Sequence, residues 1–353
     1  MAMSVCRVGR MMKSMNKRRV SFGVTLLALS LSLTTVAPCA AQTTRAGQPA
    51  SPPRPGAGQY LLHEQYDESA WSDRYTGGRV ERAELVEGDP NIEITVDVPA
   101  FRLTLWQDGR EIKTYRIGVG QKEYPIIIGE REATEMIWNP AWIPPDSDWV
   151  AGHKGVKPGD IIRASDPRNP IGKLKIPLGG GYLIHQAQGP GDLGHLVSHG
   201  CVRMLRADLL DLAAQINAAY GRPVSAKQVA RALTSKRTLV ARLDPPLSVD
   251  INYDTLVVEG GALHIYPDVY GRGTSTPARL RAELAASGAA AGGLDDAALA
   301  ELLARVKPRT EYVVSLESLA AGRGLEDGEL RPLVGGGGKQ RQRAPARRAA
   351  RAG

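Results

Sequence analysis

The sequence predicts a mainly β fold, and three observations support this prediction. The chain of 353 residues contains 39 Gly and 24 Pro but only two Phe, a composition that favours turn-rich β structure over a helical bundle. Apolar and polar residues alternate from Ile92 to Val98, which is the period of a half-buried strand. Asp108-Gly109 has the composition of a tight hairpin turn.

The predicted elements follow one another in short segments. After the turn, Glu111 to Val119 returns as a second strand, and Gly118 and Gly120 predict a bulge or a close backbone approach. Proline-rich turns dominate residues 138–177. Tyr182 to Ile184 is a short apolar strand.

Helices are predicted mainly in the second half of the chain. Residues 207–220 have an apolar side and end at Gly221 and Pro223, as a helix does. Beyond them we expect helices at 226–233, 278–285 and 294–306 and a hairpin around Gly260-Gly261. The sequence therefore predicts a mixed α/β extension after the β-rich part.

The net charge of +8 is concentrated at the two ends of the chain. Residues 1–41 and 339–353 each carry six basic and no acidic side chains, while the region between them has 33 basic and 37 acidic residues. Such a balanced body argues against nucleic-acid binding. The basic tail is either simply solvated or a segment that adheres to anionic wall or membrane polymers.

The N-terminus has the order of a secretory signal peptide. A basic run that ends at Arg19 precedes an apolar stretch at 20–36, and small residues follow up to Ala41. The alternative is an uncleaved membrane anchor, because an apolar stretch of this length nearly spans a bilayer.

The chain has three cysteines, Cys6, Cys39 and Cys201. Removal of the signal segment before Ala40 or later leaves Cys201 alone, so that no intramolecular disulfide can form. Exported proteins usually pair their thiols. A lone thiol is then either inert and buried or reactive.

Residues 185–204 hold the densest set of reactive side chains, including three of the six histidines and Cys201. A thiol needs a neighbouring base or backbone N–H donors before it attacks. His185 ends a predicted strand, so a loop can return Cys201 beside it. Gly200 allows a substrate to approach the backbone closely. Ser198 adds a donor near the thiol.

A zinc site is the alternative interpretation of the same segment. His195 and His199 are four residues apart, which on a helix would suit zinc together with Cys201. Gly194 and Gly200 disfavour a helix there, so we predict no metal and no cofactor.

The stretch Ser198-His199-Gly200-Cys201-Val202-Arg203 resembles the signature of the L,D-transpeptidase (YkuD-type) catalytic domain family, and His185 falls where that family has its upstream histidine. Further segments resemble the family's first hairpin and substrate-side loops: 101–105 with 118–120, 139–145 and 169–173. The resemblance implies a β-sandwich-like catalytic domain. Residues 244–272 are similar to a portion that often follows it in Gram-negative members.

The resemblance implies a peptidoglycan cross-linking enzyme that acts on stem tetrapeptides. Cys201 would attack the carbonyl between diaminopimelate and D-Ala, and His185 would take the thiol proton. The backbone carbonyl of Gln186 would orient the imidazole. The acyl group would pass to a second diaminopimelate, a lipoprotein lysine, a free D-amino acid or water.

The same resemblance suggests roles for the rest of the motif. Backbone N–H groups of Gly200 and Cys201 would form an oxyanion hole, and His199 would either join it or serve the loop structure. Arg203 would meet a substrate carboxylate or hold the loop. The sequence departs from the family at Gln186, where Gly or Ser is usual, and at Tyr124 to Gly129, where relatives have a different turn.

Three functions remain open: an L,D-transpeptidase that makes cross-links or attaches a wall lipoprotein, an L,D-carboxypeptidase, and a non-catalytic wall-binding module. We expect a periplasmic protein that contacts the membrane only through an uncleaved signal segment or the basic tail. The predicted divisions are a signal peptide at 1–41, a linker at 42–91, the catalytic domain at 92–225, the α/β extension at 226–334 and a disordered basic tail at 335–353.

Overall fold

The computed structural model describes residues 81–83, 90–152, 155–235, 237–289 and 293–333. All of them belong to a compact unit of the chain that begins at Pro53. The predicted signal peptide at 1–41, most of the predicted linker at 42–91 and the predicted tail at 335–353 lie outside the described residues.

One mixed sheet forms the body of the protein. The strands up to residue 252 are, in chain order, β1 (Glu81–Ala83), β2 (Ile92–Asp97), β3 (Arg102–Gln107), β4 (Arg110–Arg116), β5 (Val119–Gly120), β6 (Gly129–Trp138), β7 (Leu174–Pro177), β8 (Leu183–Gln186), β9 (Leu196–Ser198), β10 (Val202–Met204) and β11 (Leu239–Asn252). The main sheet has the order β10-β8-β7-β6-β11-β2-β3-β4, and β1 pairs with β11. The mainly β prediction is confirmed.

The main sheet nearly closes on itself. Gly118, which follows β4, forms an antiparallel bridge with Arg203 of β10. The two residues exchange backbone hydrogen bonds of 2.9 and 2.8 Å. Because β4 and β10 are the two edges of the sheet, this bridge brings the edges together. Where the resemblance implied a β-sandwich-like domain, the structure has one curled sheet.

The predicted first hairpin forms as expected. Ile92, Ile94 and Val96 are buried in β2 and Glu93 is exposed, so the alternation places one face of the strand in the core. Asp108 and Gly109 both have positive φ, 52° and 69°, between β3 and β4. Such backbone angles suit a two-residue turn that matches the twist of the strands.

Most of the helices lie after residue 205. They are α1 (Asp148–Ala151), α2 (Arg206–Ala219), α3 (Ala226–Thr234), α4 (Pro277–Ala286), α5 (Asp296–Ala304) and α6 (Leu316–Ala320). The buried face of α2 consists of Leu209, Leu212, Ala213 and Ile216, and it packs in the core of the main sheet. Ser225 starts α3 with a capping box, in which its side chain and that of Gln228 bond to each other's backbone N–H.

The C-terminal region has a second, antiparallel sheet in the order β12 (Leu256–Glu259), β13 (Ala262–Ile265), β14 (Thr310–Ser315) and β15 (Glu329–Pro332). The predicted turn at Gly260-Gly261 joins β12 to β13. Helices α4 and α5 contribute Leu280 and Leu299 to a separate apolar core with this sheet. This region has the mixed α/β character that the sequence predicts.

Strand β11 links the two regions in sequence. It pairs with β6 on one side and with β2 on the other, so it lies in the middle of the main sheet. The sheet therefore extends past residue 225, where the sequence placed the end of the catalytic domain. Within the described part of the chain, no helix has both the length and the apolar character needed to cross a bilayer.

Candidate active site

Two adjacent parallel strands bring the predicted base and the predicted nucleophile together. In the pairing of β10 with β8, Arg203 lies opposite His185. Residues opposite each other point to the same face, and so do residues two apart on one strand. Cys201 lies just before β10 and packs against a cluster that includes Leu183, which is two residues before His185 on β8 and points to the same face.

The Cys201 thiol lies in an apolar environment. Cys201 is partly exposed, and it packs against a cluster of buried residues: Trp142, Val150, Val156, Ile162, Ile171 and Leu183. Its Sγ lies 3.9 Å from the carbonyl oxygen of Gly181. Cys201 as a residue is thus partly exposed, while its thiol lies against this apolar cluster.

Burial of the thiol keeps it protonated at neutral pH. Burial raises the pKa of Cys201 to about 11, against the opposing effects of the Leu183 backbone and of the positive charges of Arg203 and Lys175. At neutral pH the sulfur therefore carries its proton, and it becomes nucleophilic only when a base removes that proton.

His185 is buried and uncharged. Burial lowers its pKa to about 3, and the charge of Arg203 acts in the same direction. The carbonyls of Gln186 and Ile171 act in the opposite direction, yet neither makes a hydrogen bond of good geometry to Nδ1, which has no partner among the described residues. The resting pair is thus a neutral thiol and a neutral imidazole.

Ser198 organises the turn that carries the thiol. Its hydroxyl donates to the carbonyl of Cys201 at 2.6 Å and accepts from the N–H of Gly200 at 3.2 Å. Ser198 is almost completely buried. One hydroxyl thus closes the Ser-His-Gly-Cys turn, and the Gly200 N–H, a predicted oxyanion donor, has a partner in this structure.

Gly200 occupies a position that requires glycine. Its φ is +112°, and a Cβ there would meet Cε1 of Tyr182 at 2.7 Å. Gly120 approaches from the other side, since a Cβ on Gly120 would meet the Cα of Gly200 at 2.9 Å and the carbonyl oxygen of Tyr124. The close approach predicted at Gly118 and Gly120 is confirmed.

His199 is held in a stack of aromatic rings. Its imidazole stacks on Trp149 with the ring centres 4.3 Å apart, and it meets the edge of Tyr124 at 4.8 Å. Trp149 in turn stacks on Trp142 at 6.1 Å. Of the two roles that the sequence left open for His199, these contacts favour loop structure.

Arg203 holds the loop before β9. Its Nη1 lies 3.1 Å from Oδ2 of Asp192, and both side chains are largely buried. The same carboxylate oxygen accepts from the N–H of Gln188 at 2.9 Å. Because Arg203 is also paired with His185 in the sheet, this ion pair ties the loop to the strand of the base.

Gln186 contacts the loop that resembles a substrate-side loop. Its Oε1 accepts from the N–H of Lys173 at 3.3 Å, and a Cβ on Gly172 would meet the Gln186 side chain at 2.5 Å. The long side chain at this departure from the family therefore packs under Gly172. The backbone carbonyl of Gln186, which is predicted to orient the imidazole, raises the pKa of His185, against the larger effect of burial.

The sequence analysis missed Lys175. This lysine is buried in β7, where it lies opposite His185, and its charge lowers the pKa of Cys201. A lysine between Leu174 and Ile176, in a short apolar strand, was the signal that could have revealed it. Across the described residues, no group of three or more His, Cys, Asp and Glu side chains is arranged to hold a metal ion.

The site thus combines an imidazole on β8 with a thiol just before β10 and a glycine turn beside the sulfur. Residues 91–236 match the family profile YkuD, described as the L,D-transpeptidase catalytic domain. These residues of the chain belong to the YkuD L,D-transpeptidase catalytic domain family.

Solved L,D-transpeptidases resemble the chain at low identity. One from Mycobacterium smegmatis is 14% identical, with 43% of this chain and 59% of that chain covered and a TM-score of 0.26. One from Stackebrandtia nassauensis is 14% identical, with 48% and 60% covered and a TM-score of 0.28.

A third, LdtMt1 in complex with imipenem, is 17% identical, with 43% and 58% covered and a TM-score of 0.27. The chain thus spans about three fifths of the length of these proteins. A comparison with curated proteins finds no match.

Proposed function

We propose that this protein is a peptidoglycan L,D-transpeptidase that uses Cys201 as its nucleophile and His185 as its base. The observation that supports the proposal is the pairing of β8 with β10 within a YkuD domain: His185 lies opposite Arg203, and Cys201 directly precedes β10. The substrate is a stem tetrapeptide, and the bond broken joins diaminopimelate to D-Ala.

In the acylation step, the sulfur of Cys201 bonds to the carbonyl carbon while its proton passes to the imidazole of His185. The tetrahedral intermediate collapses, the C–N bond breaks, and His185 gives the proton to the departing D-Ala amine. A thioester remains on Cys201. In the second step an acceptor amine bonds to the same carbon, loses its proton to His185 and releases the sulfur as a thiol.

The raised pKa of the thiol and the lowered pKa of the imidazole impose a condition on this mechanism. Free transfer of the proton in the empty site is strongly unfavourable, since the thiol pKa is about 11 and the imidazole pKa about 3. Attack is therefore coupled to proton transfer, and it depends on a stabilised oxyanion. A donor aimed at the oxyanion contributes about 3–4 kcal/mol in acyl transfer.

The N–H groups of Cys201 and Gly200 are the candidate donors to the oxyanion. The Gly200 N–H bonds to Ser198 at 3.2 Å, a long hydrogen bond, and would move from the hydroxyl to the oxyanion as attack proceeds. The charges of Lys175 and Arg203, which already favour the thiolate, also favour the negative intermediate.

The cellular setting is part of the proposal. The basic and apolar N-terminal segment supports export to the periplasm, where stem peptides are available. A wall-anchored lipoprotein lysine is an alternative acceptor to a second diaminopimelate. Contact with the membrane is confined to an uncleaved signal segment or to the basic tail.

The test is incubation with purified disaccharide-tetrapeptide, followed by mass spectrometry of the products. Transpeptidation yields a cross-linked dimer, hydrolysis by the same thioester yields only the tripeptide, and a wall-binding module leaves the substrate unchanged. Cys201→Ala should abolish both products. Retention of activity by Cys201→Ala would refute the assignment of the nucleophile.

A further inference from the structure

The loop that carries Cys201 emerges from a small parallel ribbon. Strands β5 and β9 pair with each other, with Val119 opposite Leu196 and Gly120 opposite Ser198. The N–H of Gln121 donates to the carbonyl of Ser198 at 2.9 Å, at the residue where the Ser-His-Gly-Cys turn begins. Any shift of β5 is therefore transmitted directly to the turn.

A tyrosine from outside the family-matched residues 91–236 holds β5 in place. The hydroxyl of Tyr270 donates to the carbonyl of Gly120 at 3.0 Å and accepts from the N–H of Ile126 at 3.4 Å. The backbone of Gly120 lies against that of Gly200, since a Cβ on Gly120 would meet the Cα of Gly200 at 2.9 Å. Tyr270 is thus two contacts away from the residue before the nucleophile.

Tyr270 is itself fixed from several directions. Its ring stacks on that of Tyr253 at 5.5 Å, and its N–H donates to the Tyr253 hydroxyl at 2.7 Å. That hydroxyl donates to Asp268 at 2.6 Å, and the guanidinium of Arg272 lies over both rings. Burial raises the pKa of Tyr270 to about 12, so its hydroxyl keeps its proton as a donor at neutral pH.

A second contact from the C-terminal region reaches the other strand of the ribbon. Nη1 of Arg309 lies 3.1 Å from Nε2 of His195, the residue before β9. Nδ1 of His195 lies 2.9 Å from the carbonyl of Leu193, which can only accept. Nδ1 therefore donates, and Nε2 is left to accept from Arg309. Both strands of the ribbon thus have a contact from the region after residue 252.

We propose that Tyr270 is a positioning residue for Cys201: through the β5–β9 ribbon, the region that follows the family-matched domain sets the geometry of the nucleophile turn. The proposal rests on the proposed function only where it predicts kcat and KM for the tetrapeptide. Its physical basis is that a small displacement of a reacting group lowers the rate strongly, by up to about 100-fold for 1 Å.

The test compares Tyr270→Phe with Tyr312→Phe in the full chain. Tyr270→Phe keeps the stacked ring and removes only the hydroxyl that bonds to β5. Tyr312→Phe is the matched control, because its hydroxyl bonds to the carbonyl of Gly324 inside the C-terminal region, at 2.9 Å, rather than to the ribbon. Each variant is measured for kcat and KM on the tetrapeptide and for melting temperature.

A second measurement does not depend on any substrate. The rate of Cys201 alkylation by iodoacetamide is followed across pH by peptide mapping. For Tyr270→Phe we expect kcat to fall about tenfold with a smaller change in KM. We also expect the pH at which the alkylation rate reaches half its maximum, the alkylation midpoint, to shift to lower pH, because the turn loosens and the sulfur becomes more exposed. For Tyr312→Phe we expect wild-type values of kcat and of the alkylation midpoint.

Tyr270→Phe with wild-type kcat and a wild-type alkylation profile would overturn the inference, whatever its melting temperature. Equal losses of kcat in both tyrosine variants would also overturn it, because they would reflect general destabilisation. If the wild-type protein does not turn over the tetrapeptide, the proposed function fails. In that case the alkylation profile alone decides the role of Tyr270.

Discussion

Two histidines in this protein lie in opposite surroundings. His185, in the main sheet, is buried with an unpartnered Nδ1 among the described residues, and its pKa is lowered to about 3. His264, in the C-terminal sheet, pairs through Nδ1 with Oε2 of Glu311 at 2.9 Å. The first arrangement leaves a base unpaired, and the second satisfies both partners.

The difference indicates what each region is for. A buried polar atom without a partner costs stability, typically about 1–3 kcal/mol, and such a cost is expected where the group acts in a reaction. The turn at Gly200 has a similar character, because it combines a positive φ with close contacts on two sides. The His264–Glu311 pair bears no such cost, and it joins neighbouring strands β13 and β14.

The largest expected effect is on kcat, and it distinguishes a substitution of His185 from one of His264. His185→Gln should lower kcat for the tetrapeptide by at least about 1,000-fold, because it removes the base for both steps, and should leave the protein folded. His264→Gln is the matched control and should keep kcat within about twofold. Steady-state kinetics with circular dichroism checks both variants. Comparable kcat values for the two would exclude His185 as the base.

The next effect concerns the strained turn. Gly200→Ala places a Cβ 2.7 Å from the Tyr182 ring at a φ of +112°, so the turn must move. We expect a loss of about 100-fold in the rate of Cys201 acylation by the tetrapeptide, measured as release of D-Ala. Gly191→Ala is the control, since a Cβ there meets nothing within 4 Å. If Gly200→Ala is acylated at the wild-type rate, the turn does not need its present shape.

The pH dependence of the thiol gives a third prediction. Because the pKa of Cys201 is raised to about 11, its thiolate fraction should rise about tenfold for each pH unit between 7 and 10. Alkylation by iodoacetamide should follow the same slope without a plateau, whereas an ordinary exposed thiol levels off near its pKa of about 8.5. A plateau below pH 9 would mean that the resting site holds an ion pair rather than two neutral groups.

Only some of the structural features on which these tests depend could be predicted from the sequence. The hairpin at Asp108-Gly109 and the face of α2 were predictable because turn composition and helical period act over a few residues. The pairing of His185 with Cys201 was predictable because motif and spacing resemble a known family. The structure confirms the hairpin and the helix at the positions expected, and it sets His185 opposite Arg203, two residues after Cys201.

The contacts that the sequence did not reveal depend on register and on distant segments. Lys175 faces His185 only through the pairing of β7 with β8. The stack of His199 on Trp149 joins the Ser-His-Gly-Cys turn to helix α1, and Tyr270 reaches Gly120 across 150 positions. Local composition contains no signal for such contacts, since each depends on how the whole sheet closes.

The smallest expected effect concerns the paired histidine and its carboxylate. The hydrogen bond from His264 lowers the pKa of Glu311 in spite of burial, which raises it. A lowered carboxyl pKa contributes stability that is present above the unfolded value of 4.5 and is lost as the pH falls through the folded value. His264→Gln should therefore destabilise the protein at pH 7 by about 1.5 kcal/mol.

The difference in stability between wild type and His264→Gln should shrink as the pH falls below 4.5 and then through the lowered pKa of Glu311, because Glu311 becomes protonated in both proteins. Urea unfolding at a series of pH values measures this difference. A gap that stays constant down to pH 2.5 would show that the pair contributes packing rather than charge. The same series for His185→Gln should show no narrowing over this interval, since that imidazole has no carboxylate bonded to Nδ1 among the described residues. The contrast between the two histidines would then extend from activity to stability.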